Sequence, residues 1–216
     1  MRIRNLQFTL VAALLIAVGS AQAAPIPGLF NTGVDAFGTP RANQAPELHY
    51  VLVPPSVDLA ALRVATSANG FPIGPWFGDD AFSAWIGPAT DAALDDATGN
   101  YDYRLTFSLS GFIPSSASIS GLWAQDNTGV DILINGVSTG QTAGGFSAFT
   151  PFAISSGFVA GTNTIDFIIN NGGGPTGLRV EMTGTATAVT SGGAPEPASL
   201  VLIGAGLAAF ALYRRR

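Results

Sequence analysis

Between residues 47 and 187, apolar and polar side chains alternate in short runs with a period of two. In YDYRLTFSL, Tyr101, Tyr103, Leu105, Phe107 and Leu109 share one face, and Asp102, Arg104, Thr106 and Ser108 share the other. NTIDFIIN sets Ile165, Phe167 and Ile169 opposite Thr164, Asp166, Ile168 and Asn170. GLRVEMTG sets Leu178, Val180 and Met182 opposite Arg179, Glu181 and Thr183. Alternation of this kind places one face of a pleated strand in a core and the other in water. Further strands are expected at Leu48 to Val53, Ala81 to Trp85, Ile119 to Ala124, Val130 to Ile134 and Phe149 to Ile154. Asn135-Gly136 after DILI marks a hairpin, because both residues tolerate φ > 0. No amphipathic helix of useful length interrupts these runs. Strands spaced about 8–12 residues apart, each with one wet face, predict an all-β, antiparallel β-sandwich over residues 47–187.

The two ends follow a different pattern. Arg2 and Arg4 precede an apolar run from Leu10 to Val18, and Ala21-Gln22-Ala23 fits a small-x-small cleavage site. Residues 1–23 therefore read as a signal peptide cut by signal peptidase after Ala23. Residues 24–46 carry Pro25, Pro27, Pro40 and Pro46 and read as an irregular lead-in or edge segment. Residues 87–100 read as an exposed acidic loop, and 188–194 as a small, polar linker. From Ala198 to Tyr213 the only clearly polar residue is Ser199. A helix over 198–213 would span about 24 Å, short of a hydrocarbon core of about 30 Å. Arg214, Arg215 and Arg216 extend the span by snorkelling and mark its cytoplasmic side.

Composition narrows the chemistry. The chain has 216 residues, 11% of them charged, with no Cys and one His. Over residues 24–194, four Arg face thirteen acids, a balance of −9. Such a surface repels phosphate backbones and excludes nucleic acid as a partner. Without Cys there are no disulfides, no thiolate catalysis and no Cys-ligated zinc. His49 alone supports neither a multi-His metal site nor a catalytic triad; it reads as a strand surface residue. Gly136-Val137-Ser138-Thr139-Gly140 matches G-x-S-x-G, but that motif needs a strand-to-helix elbow and here begins in a hairpin. No acid pair stands in a recognisable glycosidase pattern. The reading is non-catalytic.

Pro195-Glu196-Pro197, an apolar helix and an Arg cluster, in that order, resemble the PEP-CTERM sorting signal of Gram-negative bacteria. The resemblance covers about the last 25 residues. It implies recognition and processing by an exosortase, transient residence in the inner membrane, and delivery to the envelope, cell surface or extracellular matrix, in association with exopolysaccharide. Residues 195–216 would then be the signal, with Pro195, Glu196, Pro197, Arg214, Arg215 and Arg216 as its sorting residues. Two prolines hold an extended backbone that an enzyme cleft can grip.

Over residues 100–187, Asn135-Gly136, Pro151-Phe152 and Gly161-Thr162-Asn163-Thr164-Ile165 followed by the Phe167–Asn170 strand resemble a galactose-binding-domain-like jelly roll. That resemblance implies the fold, with Gly161 and Asn163 shaping a turn, and carries sugar binding and a structural Ca²⁺ as expectations. Candidate ligand-binding residues are Trp76, in a Pro/Gly-rich loop with Phe71 and Phe77, the turn residues Asp126, Asn127 and Asp131, and Asn170-Asn171 before a glycine run. Trp123 shares parity with Ile119 and belongs to the core. Asp126 and Asp131 are the calcium candidates, since Ca²⁺ requires hard oxygens, and Asx turns are their alternative use. Asp91, Asp95 and Asp96 form a second such cluster.

Overall fold

A computed structural model of the chain describes residues 22–66, 76–89 and 94–189, together with Ile203, Gly204, Gly206, Leu207, Phe210, Tyr213 and Arg214. Gln22–Val189 forms one unit; Met1–Ala21 and Thr190–Arg216 form another. Within the first unit the strands are β1 (Ala23–Pro25), β2 (Tyr50–Leu52), β3 (Arg63–Ala65) and β4 (Trp85–Gly87). Then come β5 (Gly99–Ser108), β6 (Ser118–Asp126), β7 (Thr128–Ile134) and β8 (Val137–Ser138). The chain finishes with β9 (Ala143–Gly144), β10 (Thr150–Ile154), β11 (Thr162–Asn171) and β12 (Gly177–Thr187).

Two antiparallel sheets result. One runs β10-β6-β12-β4-β3, with β1 also on β12; the other runs β2-β5-β11-β7-β8, with β9 also on β7. The expected all-β, antiparallel sandwich is the observed fold. Strands β6 and β7 are consecutive, separated only by Asn127, yet belong to different sheets. At the β7–β8 hairpin, Asn135 and Gly136 take φ of 52° and 78°, the left-handed pair a two-residue turn needs.

The alternation converts directly into burial. Tyr101, Tyr103, Leu105, Phe107 and Leu109 of the β5 segment face Ile119, Trp123, Phe152, Leu178 and Val180 of the opposite sheet, all in one cluster. Phe167 stands at its centre with no exposed surface. Its ring lies 5.7 Å from both Trp123 and Phe152 and 6.4 Å from Tyr50. Tilted and edge-on contacts of this kind add to the gain from area alone. Gly129 is required here, because a Cβ would fall within the Trp123 ring. Asn163 is buried among turn atoms: its side chain bonds the Val159 N–H and C=O and the Gly161 C=O.

Two segments are placed by hydrogen bonds rather than by a hydrophobic period. The lead-in over 24–46 is built into the sandwich. Ala23, Ala24 and Pro25 pair with Thr187, Ala186 and Thr185, and the Ile26 amide donates to Gly184 O. Thr32, fully buried, donates to Ala84 O and accepts from the Val180 amide. These bonds are made by backbone and a hydroxyl, so they leave no hydrophobic period to read. The strand expected at Ala81 to Trp85 begins only at Trp85. Asp80 Oδ1 accepts the amides of Phe82 and Ser83 and spends those residues on a turn.

Phe167→Ala is expected to lower unfolding free energy by about 3–5 kcal/mol, a large fraction of a domain's total. Ile168→Ala, one residue along on the outer face, is expected to cost under about 1 kcal/mol. Urea denaturation followed by tryptophan fluorescence checks the contrast, and equal costs would refute the facing of β11.

Candidate functional site

At the β6–β7 corner, the sequence candidates gather but serve different tasks. Asp126 is buried; its Oδ2 accepts the indole N–H of Trp76 at 2.8 Å, and its backbone O accepts the Thr176 hydroxyl at 2.5 Å. Its Oδ1 is buried without a partner, and burial raises the carboxyl's pKa against the pull of Trp76 and Asn127. Asn127 Oδ1 accepts the Gly172 amide, and Asn170 donates to Asn100 Oδ1. Asn171 is buried, with its amide shared among the carbonyls of Asp96, Ala97 and Gly174. Asp96 closes the knot by accepting the Thr176 amide. Asp131 lies elsewhere, opposite Ile168 in the second sheet, where its Oδ1 accepts the Ile132 and Gly140 amides. The two calcium candidates are therefore not brought together. Asp95 is exposed, and Asp91 lies outside the described residues.

Trp76 is not an exposed platform. It is 6% exposed and packs at a tilt of 34° against Trp85, ring centroids 4.4 Å apart, with Gly177 giving it room. Phe71 lies outside the described residues. Trp76, Trp85, Ala65 and Ala124 form a second small core on the outer face of the first sheet, covered by Phe77, Phe146 and Phe149. In its midst is Arg179, with no exposed surface. Strand parity puts Arg179 on the outer face, and a buried guanidinium must be fully partnered. Its Nε donates to Ser83 Oγ at 2.7 Å and Nη1 to Gly78 O at 2.6 Å, and Nη2 lies 2.7 Å from Asp80 Oδ2. Phe77 and Phe149 cover it at 4.8 and 5.2 Å. Ser83 passes the network on to Glu181 Oε1. Burial, then Asp80, raises the Glu181 pKa. Burial acts upward on Asp80 too, but the Phe82 amide and Arg179 hold it below the ordinary range.

This second core covers only half of the outer face. The other half is open, a groove of about 580 Å³ floored by Ser120, Leu122, Pro151, Glu181 and Thr183 and walled by Asn31 and Phe82. Phe82 is 64% exposed and Leu122 37%. The Phe82 backbone is held from both sides: Asp80 accepts its amide, and Asn31 donates to its carbonyl at 3.0 Å. Asn31 itself accepts the Met182 amide of β12. No sequence candidate marked this groove; the signal was Phe82, an aromatic beside an Asp able to form an Asx turn.

The outer face of the second sheet carries an acid cluster of its own. Arg104 binds Asp166 through two bonds of 2.7 and 2.8 Å. Asp102 is 5% exposed, and its Oδ1 has no partner. Burial and then the Asp166 charge push its carboxyl up to about 7, against the pull of Arg104. His49 stacks on Phe30 at 3.7 Å, and its Nε2 lies 3.3 Å from Asp35 O.

Of the sorting residues, Ala23 lies in β1 and Arg214 is described; Pro195, Glu196, Pro197, Arg215 and Arg216 lie outside the described residues. Arg214 donates its amide to Phe210 O and lies 5.7 Å from the Phe210 ring. Within the expected span 198–213, Ile203, Gly204, Gly206, Leu207, Phe210 and Tyr213 are helical. Among the described residues no helix is long and apolar enough to cross a membrane.

Arg179→Met is expected to cost about 1–3 kcal/mol, because it leaves Ser83 and the Gly78 carbonyl without their buried donor, and Asp80 and Glu181, both partly in water, without a countercharge. Arg179→Lys restores little, since one ammonium cannot reach all of these acceptors; denaturant midpoints check both. For Asp102 the sign follows from the raised pKa. The folded chain keeps a proton that the unfolded chain releases, so this stabilisation is full below about pH 4 and lost as pH rises towards 7. Asp102→Asn removes that loss. Its stability relative to the parent is expected to rise between about pH 4 and pH 8, read from urea midpoints across pH.

No curated protein matches the chain. Among solved structures, it is similar to the family 35 carbohydrate-binding module (CBM35) of Paenibacillus barcinonensis, with 13% identity and a TM-score of 0.36 over 62% of this chain and 91% of that one. It is also similar to the CBM36-1 domain of a multidomain xylanase from the hindgut metagenome of Trinervitermes trinervoides, with 15% identity and a TM-score of 0.33 over 52% of this chain and 84% of that one. A GH26-CBM35 β-(1,4)-mannanase from Podospora anserina gives 17% identity and a TM-score of 0.35 over 67% of this chain and 29% of that one. Residues 194–216 match the PEP-CTERM protein-sorting motif. An antiparallel β-sandwich followed by a PEP-CTERM protein-sorting motif is thus what this chain comprises.

Proposed function

We propose that this is an exported, non-catalytic surface protein of a Gram-negative bacterium. It is cut by signal peptidase, held briefly in the inner membrane, and processed by an exosortase into the envelope or extracellular matrix. The observation that carries the reading is the sorting motif over residues 194–216. The use of Asp80 and Glu181 as partners of a buried Arg179 supports a structural role for the acid pair beside the groove. A second reading, binding of extracellular polysaccharide, is favoured by the exposed Phe82 ring beside hydroxyl and carboxylate side chains. Aromatic rings and a few placed polar groups are what a sugar ring requires.

Mass spectrometry of the native termini, in cells with and without the sorting enzyme, tests the first reading. The expected product begins at Ala24 and, only where the enzyme is present, ends near Pro195. An untrimmed chain in the cytosol would refute it. A glycan array probed with the folded domain, with and without Ca²⁺, tests the second.

A further inference from the structure

The outer face of the first sheet is divided. Over Ala124, Trp85 and Arg179 it is sealed by the small aromatic core; over Leu122, Pro151 and Glu181 it is open. The open half is not a smooth apolar patch. Ser120 and Thr183 supply hydroxyls, and Glu181 supplies a carboxylate whose side chain keeps 20% of its surface exposed. Asp80, with 39% of its side chain exposed, adjoins Glu181. The one cation of this cluster, Arg179, has no exposed surface. The groove thus shows a visitor a phenyl ring, hydroxyls and acid, and no base.

Each of these facts restricts the occupant. A ligand that covers the groove takes part of Glu181 out of water; Arg179 balances only one of Glu181 and the adjoining Asp80, so a neutral ligand leaves the surplus charge uncompensated. An anionic ligand adds repulsion to it, on a domain already carrying −9 over residues 24–194. A cation of pyranose size offsets the cost with charged N–H donors and lays its C–H face or ammonium against the ring. The Phe82 main chain is held, its amide by Asp80 and its carbonyl by Asn31, so little backbone order is lost on binding.

We propose that the Phe82–Leu122–Glu181 groove binds an amine-bearing polysaccharide of glucosamine type. This deepens the polysaccharide reading and rests on it: that reading asks whether sugar is bound, and this one names the face and the charge. The amide-rich knot at Asn127, Asn170 and Asn171 is a separate surface, reached from the opposite sheet's loops, and takes no part.

The test uses the folded domain and three probes: a glucosamine hexamer, an N-acetylglucosamine hexamer and an oligogalacturonate. Isothermal titration of the parent is expected to detect the glucosamine hexamer, weakened by raising salt from roughly 50 to 500 mM. The other two are expected to bind at least about tenfold more weakly or not at all. Phe82→Ala and Leu122→Lys both alter exposed side chains and should leave the thermal midpoint near that of the parent. Each is expected to weaken glucosamine binding about tenfold or more. Asn170→Ala should change nothing. If both groove variants bind like the parent, or only Asn170→Ala loses binding, the groove assignment is wrong while the polysaccharide reading stands. Equal binding of the neutral or acidic oligomer overturns the charge assignment. A parent that binds none of the three overturns this assignment, and the glycan array alone then decides the polysaccharide reading.

Discussion

A guanidinium with no exposed surface must bring its countercharges with it, and much of this molecule's outer architecture follows from that demand at Arg179. Ser83, Gly78 and Asp80 reach it only because the segment from Trp76 to Ser83 folds across the sheet. Phe77 and Phe149 then close the lid. The same Asp80 that neutralises the charge also accepts the Phe82 amide, so the main-chain position of Phe82 is a by-product of the ion pair. Charge burial on one half of the face thereby sets the geometry of the open half. Interior ion pairs of this kind are poor sources of stability compared with apolar packing, and their value here lies in fixing one loop conformation.

The legibility of the sequence tracks how each segment is stabilised. β5, β11 and β12 could be read because their burial is side-chain burial with a period of two, as Tyr103, Phe167 and Val180 show. The Asn135-Gly136 turn could be read because few residue pairs accept its dihedrals. β1, β3 and β4 could not. They are three residues long and held by register with β12 or with each other, and a three-residue run has no period. The wet face was read too simply: Asp102 and Asp166 sit where the pattern demands polar residues, yet both are buried.

The candidate site was legible only as residue types. An Asp-Asn turn and an Asn-Asn-Gly run announce hydrogen-bonding loops, and they do meet, through Asn127 and Gly172. Trp76 has the composition of a binding aromatic and the environment of a core residue, and nothing local separates the two. Its burial depends on Gly177, a hundred residues away in sequence and adjacent in space. The groove escaped notice because its floor is built from outward-facing positions of three strands, β10, β6 and β12, whose adjacency no single stretch encodes.

One pairing bears on the life history of the chain. Ala23 lies opposite Thr187, so the incoming and outgoing polypeptide share a single root. A cut behind Ala23, where the sequence predicts one, would remove the first residue of β1 and leave Ala24 and Pro25 paired with Ala186 and Thr185. From Thr187 back to Gly177, β12 runs eleven residues, about 36 Å at strand rise, so the knot around Asn171 and Thr176 stands at the end of the sandwich opposite Ala23.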